Sequence, residues 1–183
     1  IPSIDDPTFT DIENAASSIG DETFGLLVTV GETTRFYPYN ILVWHEIVND
    51  EIEGTPLAVT FCPLCGSAIV YEATVNGEVL EFGVSGKLFE SNLLMYDRKT
   101  ESLWSQSRGD AVVGEMLGTE LELYPAQMIT FADVKNRYPD AEILSDKTGH
   151  FRNYRDNPYG NYNENDRLIF PVSTDDVRYP LKE

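Results

Sequence analysis

Turn-forming residues interrupt this sequence so often that neither a long helix nor a long strand can run through most of it. Between them lie short β-type runs: FGLLVTV (24–30), TRFYPYNIL (34–42), PLAVTFC (56–62), SAIVYEATV (67–75), EVLEFGVSG (78–86), LFESNLLMYD (88–97) and SLWSQS (102–107). AVVGEML (111–117) and ELELYPAQMI (120–129) are further candidates. The punctuation is Gly31-Glu32, Asn76-Gly77, Gly86-Lys87, Gly109-Asp110 and Gly118-Thr119. Such pairs supply the positive φ or the local side-chain hydrogen bond that a turn demands. Asn76-Gly77 is the sharpest signal, because a two-residue type I′ turn needs positive φ at both positions. The pattern predicts a mainly β domain of about ten short strands, closed as one barrel or packed as two sheets, with a few short helices.

Helical period appears over TFADVKNRYP (130–139), where Thr130 is placed to cap and Pro139 to stop. A weaker helical pattern covers NILVWHEIVNDEI (40–52), and a short one FTDIENAASSIG (9–20), ended by Gly20. Residues 1–20 read as a polar lead-in and 21–183 as a single domain. From Gly149 onward the chain is rich in Asn, Tyr and Arg and reads as a long loop that ends in one more strand, RLIFPV (167–172). The 183 residues suffice for a real core, and the 42% apolar content excludes wholesale disorder. No apolar run approaches the ~20 residues that cross a bilayer, so no membrane insertion is expected. With 31 acidic against 13 basic residues, the net charge of −18 repels nucleic acid and anionic membrane surfaces.

Both cysteines stand in FCPLCGS (61–67). Pro63 and Gly66 favour a tight turn, which puts the sulfurs of Cys62 and Cys65 within reach of each other or of one metal ion. Two thiols do not complete a metal site. His45 is the expected third ligand, with Met95, a carboxylate or water as the fourth. Such a soft set suits copper, with zinc as the alternative. A purely structural zinc knuckle would need more ligands than one such pair provides. The second reading is thiol–disulfide exchange in which Cys62 attacks and Cys65 resolves; the strand-like GSAIVYEATV that follows differs from the helix that opens behind a thioredoxin dithiol. The third is a binding module braced by a Cys62–Cys65 disulfide. A cysteine with a distant glutamine also admits an internal thioester, here Cys65 or Cys62 with Gln106.

MYDRKTESLWSQ (95–106) gathers Asp97, Arg98, Glu101, Ser105 and Gln106 around Trp104. The plain reading is a strand end and turn; the functional one is a polar wall that orients ligands. With two histidines and no Gly-x-Ser-x-Gly elbow, a Ser/His/Asp hydrolase is not expected. GVSGK (83–87) lacks the spacing of a phosphate loop and reads as a turn.

The runs YPYNILVWHEIVNDEIEGTPLAVTFCPLCGSAIVYE, FGVSGKLFESNLLMYDRKTESLWSQ and NYRDNPYGNY, followed by LIFPVS, occur in this order. Together they resemble the DUF3179 family of uncharacterised bacterial and archaeal proteins, from about Phe24 to Lys182. The resemblance supplies no activity. It implies an extracytoplasmic setting, with which the abrupt start at Ile1 agrees if an export signal is removed, and family members commonly continue past a point such as PLKE. A redox or metal-delivery protein is the expected partner.

The charge imbalance carries a prediction of its own. Raising salt from low to moderate concentration should raise the melting temperature, because screening weakens repulsion among the carboxylates. A flat or falling melting temperature over that range would show that the surface is not self-repelling.

Overall fold

PLAVTFC lacks the polar alternation of a half-exposed strand because the strand it forms has no exposed face. In the computed structural model, which describes residues 1–160, this segment lies inside a sheet that is covered on both sides. The expected strand at 167–172 lies outside the described residues.

The chain runs β1 (Phe9–Thr10), α1 (Ile12–Ala15), β2 (Phe24–Val30), β3 (Thr33–Pro38), α2 (Tyr39–His45), β4 (Ile47–Ile52), β5 (Thr55–Cys62) and β6 (Ser67–Glu72). It continues through β7 (Thr74–Val75), β8 (Glu78–Val79), β9 (Phe82–Phe89), β10 (Asn92–Asp97), β11 (Leu103–Ser105) and β12 (Ala111–Val113). Last come β13 (Leu123–Tyr124), β14 (Gln127–Thr130), α3 (Phe131–Arg137) and β15 (Glu142–Leu144). The strands form three main sheets, ordered β1-β15-β3-β2-β14, β13-β6-β5-β4 and β12-β11-β10-β9, with β7-β8 as a separate hairpin. The domain is therefore mainly β, and its sheets pack face to face rather than closing into a barrel.

The period of two along β5 assigns its side chains to two different cores. Leu57, Val59 and Phe61 pack with Leu26 and Val28 of β2 and Ile41 and Leu42 of α2. Ala58 and Cys62 pack with Phe82, Leu93, Met95 and Trp104 of the β9–β12 sheet. A third cluster joins α1 and α3 to the outer face of β2 and β3 through Leu27, Phe36, Phe131 and Val134. The lead-in is tied down as well: Ile4 is buried, and its N–H donates to Ile47 O at 2.9 Å.

The β7–β8 turn and the start of α3 follow their local signals. Asn76 and Gly77 take positive φ between β7 and β8. Thr130 Oγ1 accepts from Asp133 N–H at 3.3 Å and caps α3. Four expectations are corrected. The β-type run over 34–42 ends at Pro38, and Tyr39–Leu42 open α2. The helix over 9–20 is confined to Ile12–Ala15, because Phe9–Thr10 pair with β15. The helix over 40–52 stops at His45, where Glu46 adopts a left-handed φ of 61°, and Ile47–Ile52 becomes β4 because pairing with β5 satisfies its backbone. The expected turn at Gly86-Lys87 is a bulge: β9 continues to Phe89, and the register against β10 shifts between Leu94 and Met95. Gly86, at φ +72°, absorbs the extra length.

Residues 97–102 form the plain strand end and turn, locked by a fully buried aspartate. Asp97 accepts from Trp104 Nε1 at 2.9 Å, Thr100 N at 2.6 Å and Thr100 Oγ1 at 2.8 Å. Burial opposes its charge, but these donors outweigh burial and hold its pKa below the ordinary value. Asp97→Ala should cost about 2–3 kcal/mol, since it strands the buried Trp104 N–H and frees the turn. Because the depressed pKa gives stability present above about pH 4 and lost as pH falls through the folded value, the gap should narrow on acidification. Chemical denaturation of wild type and variant at neutral and acidic pH measures both.

Candidate functional site

The turn between β5 and β6 is set by register, because Cys62 pairs with Ser67 and leaves residues 63–66 to reverse the chain. Gly66 has φ +65°, a conformation that a residue with a Cβ adopts only with strain. Cys62, the last residue of β5, is 1% exposed and points into the core shared with the β9–β12 sheet. Cys65, at the outer end of the turn, is exposed, and both thiols are free. This reverses the expected order: the accessible sulfur is that of Cys65, and Cys62 lies behind it.

Neutral donors surround Cys65 Sγ. Ser67 Oγ lies 3.1 Å away, and Asn92 Nδ2 donates to the sulfur at 3.3 Å. The hydrogen bond from the Cys62 thiol lowers the Cys65 pKa most; burial opposes it, and Ser67 and Asn92 lower it further, to about 5. The same bond, with burial, pushes the Cys62 thiol well up, so Cys62 keeps its proton while Cys65 carries the charge. Asn92 reaches the sulfur because Glu90 and Ser91 turn β9 into β10 at positive φ, an unusual choice for two residues that are not glycine. Ser107 N–H donates to Asn92 Oδ1 at 2.9 Å, which fixes which end of the amide faces Cys65.

The other expected ligands have different surroundings. His45 is fully buried; Nδ1 lies 2.8 Å from Pro2 O and Nε2 lies 2.7 Å from Tyr154 OH. A carbonyl only accepts, so Nδ1 carries the proton and Tyr154 donates to Nε2. Both nitrogens are thus engaged away from the thiol turn. Met95 is fully buried in the apolar cluster that also holds Cys62 and Trp104. Among the described residues, no three His, Cys, Asp or Glu side chains gather closely enough to hold one ion. Of the polar wall, Asp97 serves the turn and Gln106 alone reaches the neighbours of Cys65, donating or accepting at Thr60, Ser67 and Asn92.

Sequence reasoning missed Ser67 and Asn92. Ser67 carried one usable signal, its position two residues after Cys65 on the strand that leaves the turn. Asn92 carried none, since only the pairing of β9 with β10 and the stacking of two sheets bring it to the sulfur.

On the far side of the turn a cleft of about 520 Å³ is lined by Pro63 and Gly66 opposite Tyr39, Phe61, Tyr154 and Tyr159. His45 braces its wall through Tyr154. Burial, with repulsion from His150 and Arg152, lowers the His45 pKa although the Pro2 carbonyl opposes this. A base whose pKa is lowered by folding contributes stability above its unfolded pKa of about 6.5 and loses it as pH falls. Between about pH 7 and pH 5 the wild type should therefore lose more stability than His45→Asn, measured as melting temperature at both pH values.

Comparison with known proteins adds one finding. No curated protein and no solved structure is detectably similar to this chain. The model of DUF3179, described as a protein of unknown function, matches residues 1–183. The arrangement around Cys65 thus sits in a chain that belongs to the DUF3179 family.

Proposed function

We propose that this domain performs thiol–disulfide exchange, with Cys65 as the nucleophile and Cys62 as the resolving thiol. One observation carries the reading: an exposed sulfur faced by the neutral groups Ser67 Oγ and Asn92 Nδ2, with a second, buried thiol at the inner end of the same turn. The thiolate is the attacking species in exchange, so a lowered pKa keeps Cys65 reactive at neutral pH.

In the reducing direction, Cys65 Sγ bonds to one sulfur of a partner's disulfide and the other partner sulfur leaves as a thiolate. Cys62 gives up its proton to that thiolate and attacks Cys65 Sγ, forming the Cys62–Cys65 disulfide and releasing the second partner sulfur. Two electrons pass to the partner. Donors that stabilise the thiolate favour the dithiol form, and a stabilised dithiol makes the corresponding disulfide a stronger oxidant. The net direction we infer is the reverse one, oxidation of a partner's dithiol, with another disulfide-bearing protein restoring the Cys62–Cys65 bond. An oxidising, extracytoplasmic compartment suits that direction.

Copper or zinc held by the two sulfurs is the competing reading, and the same variants decide between them. At about pH 6, where an ordinary thiol is protonated, iodoacetamide should modify Cys65 rapidly and Cys62 slowly. Cys62→Ser should trap a mixed disulfide with a model cystine peptide, and Cys65→Ser should form none. If wild type instead purifies with about one equivalent of copper or zinc, lost in both variants, and forms no internal disulfide, the site is a metal centre.

A further inference from the structure

Gln106 is fully buried and 39 residues from Ser67 in sequence, yet its side chain joins Ser67 and Asn92, both of which lie against Cys65 Sγ. Its orientation is determined by what its neighbours can do. Thr60 Oγ1 gives its own proton to Ile69 O at 2.7 Å, so toward Gln106 it only accepts, from Nε2 at 3.1 Å. Ser67 O, a carbonyl, also accepts from Nε2, at 3.3 Å. The amide oxygen must therefore face the other way. There it takes Ser67 Oγ–H at 2.8 Å and Asn92 Nδ2–H at 2.8 Å. The Gln106 backbone is pinned as well, its N–H on Leu93 O at 3.1 Å and its O under the Tyr71 hydroxyl at 2.7 Å.

We propose that Gln106 is the positioning residue of this site, the group that keeps Ser67 and Asn92 aimed at Cys65; the proposal rests on the exchange reading. Asn92 has two amide protons, one for Gln106 Oε1 and one for the sulfur. Ser67 has one. When Cys65 is a neutral thiol, its S–H donates to Ser67 Oγ and Ser67 hands its proton to Gln106. When Cys65 is a thiolate, rotation of the Ser67 hydroxyl turns that proton onto the sulfur while Asn92 still satisfies Gln106. The site changes charge with one hydroxyl rotation. Because no member of the set titrates near neutrality, reactivity should follow a single ionisation, that of Cys65, without the second step that a histidine partner adds.

The test is the pH dependence of iodoacetamide alkylation of the reduced full chain, followed at Cys65 by peptide mass spectrometry. Wild type should show one step with a midpoint near 5. Gln106→Glu places a like charge beside the thiolate, and Gln106→Met removes the acceptor that holds Asn92 in both protonation states. Each should raise the midpoint by about one unit or more, so that the rate at about pH 6 falls several-fold while rates at about pH 9 converge. Convergence separates lost positioning from lost access. Asn92→Ala, which leaves Gln106 in place, should shift the midpoint in the same direction and serves if the glutamine variants fail to fold. Unchanged midpoints in folded variants overturn the proposal. So does a wild-type intact mass lower by one ammonia and restored in Gln106→Met, which would make Gln106 the acyl partner of Cys65 in a thioester. Shifted midpoints in a protein that exchanges no disulfide would leave Gln106 in its role and remove the exchange reading alone.

Discussion

β5 has no face left for water, and the rest of the domain follows from that. Leu57, Val59 and Phe61 demand cover on one side, which the β1-β15-β3-β2-β14 sheet and α2 provide. Ala58, Thr60 and Cys62 demand it on the other, which the β9–β12 sheet provides. A strand buried on both sides exchanges all its side-chain hydration for packing, so its neighbours must match it in shape and in hydrogen bonding.

Thr60 is where hydrogen bonding enters. A hydroxyl on a buried face is costly unless it is satisfied, and Thr60 is satisfied at both ends, by Ile69 O and by Gln106 Nε2. That obligation draws a glutamine into the interface between two sheets. The glutamine's oxygen then needs donors of its own, which Ser67 and Asn92 supply. The polar chain comes out to solvent at Cys65. A requirement of the core and the environment of an exposed thiolate are thus one network, and a network of this kind holds its geometry only while every member is satisfied.

The two cysteines differ because they stand at the two ends of one short turn. Two residues separate a position inside a β-ladder from one at the surface, and the bond to Cys65, together with burial, favours the protonated inner thiol. The protonated inner thiol becomes a donor to the outer one. The asymmetry that thiol exchange uses is in this sense a by-product of where β5 ends.

What the sequence determined by itself is the local content of the fold. Asn76-Gly77 specified its hairpin, Thr130 and Pro139 delimited α3, and Pro63 with Gly66 announced the dithiol turn. Each of these rests on φ preferences or capping within a few residues, which any reader of the chain can weigh. Tertiary structure decided what local preference left balanced. It ended α2 at Glu46 and gave Ile47–Ile52 to the ladder with β5, it turned Gly86 into a bulge, and it engaged His45 with Pro2 and Tyr154. It alone brought Asn92 and Gln106 to Cys65, because a hydrogen bond between residues far apart in the chain depends on sheet register and layer stacking, and neither leaves a mark on the residues nearby.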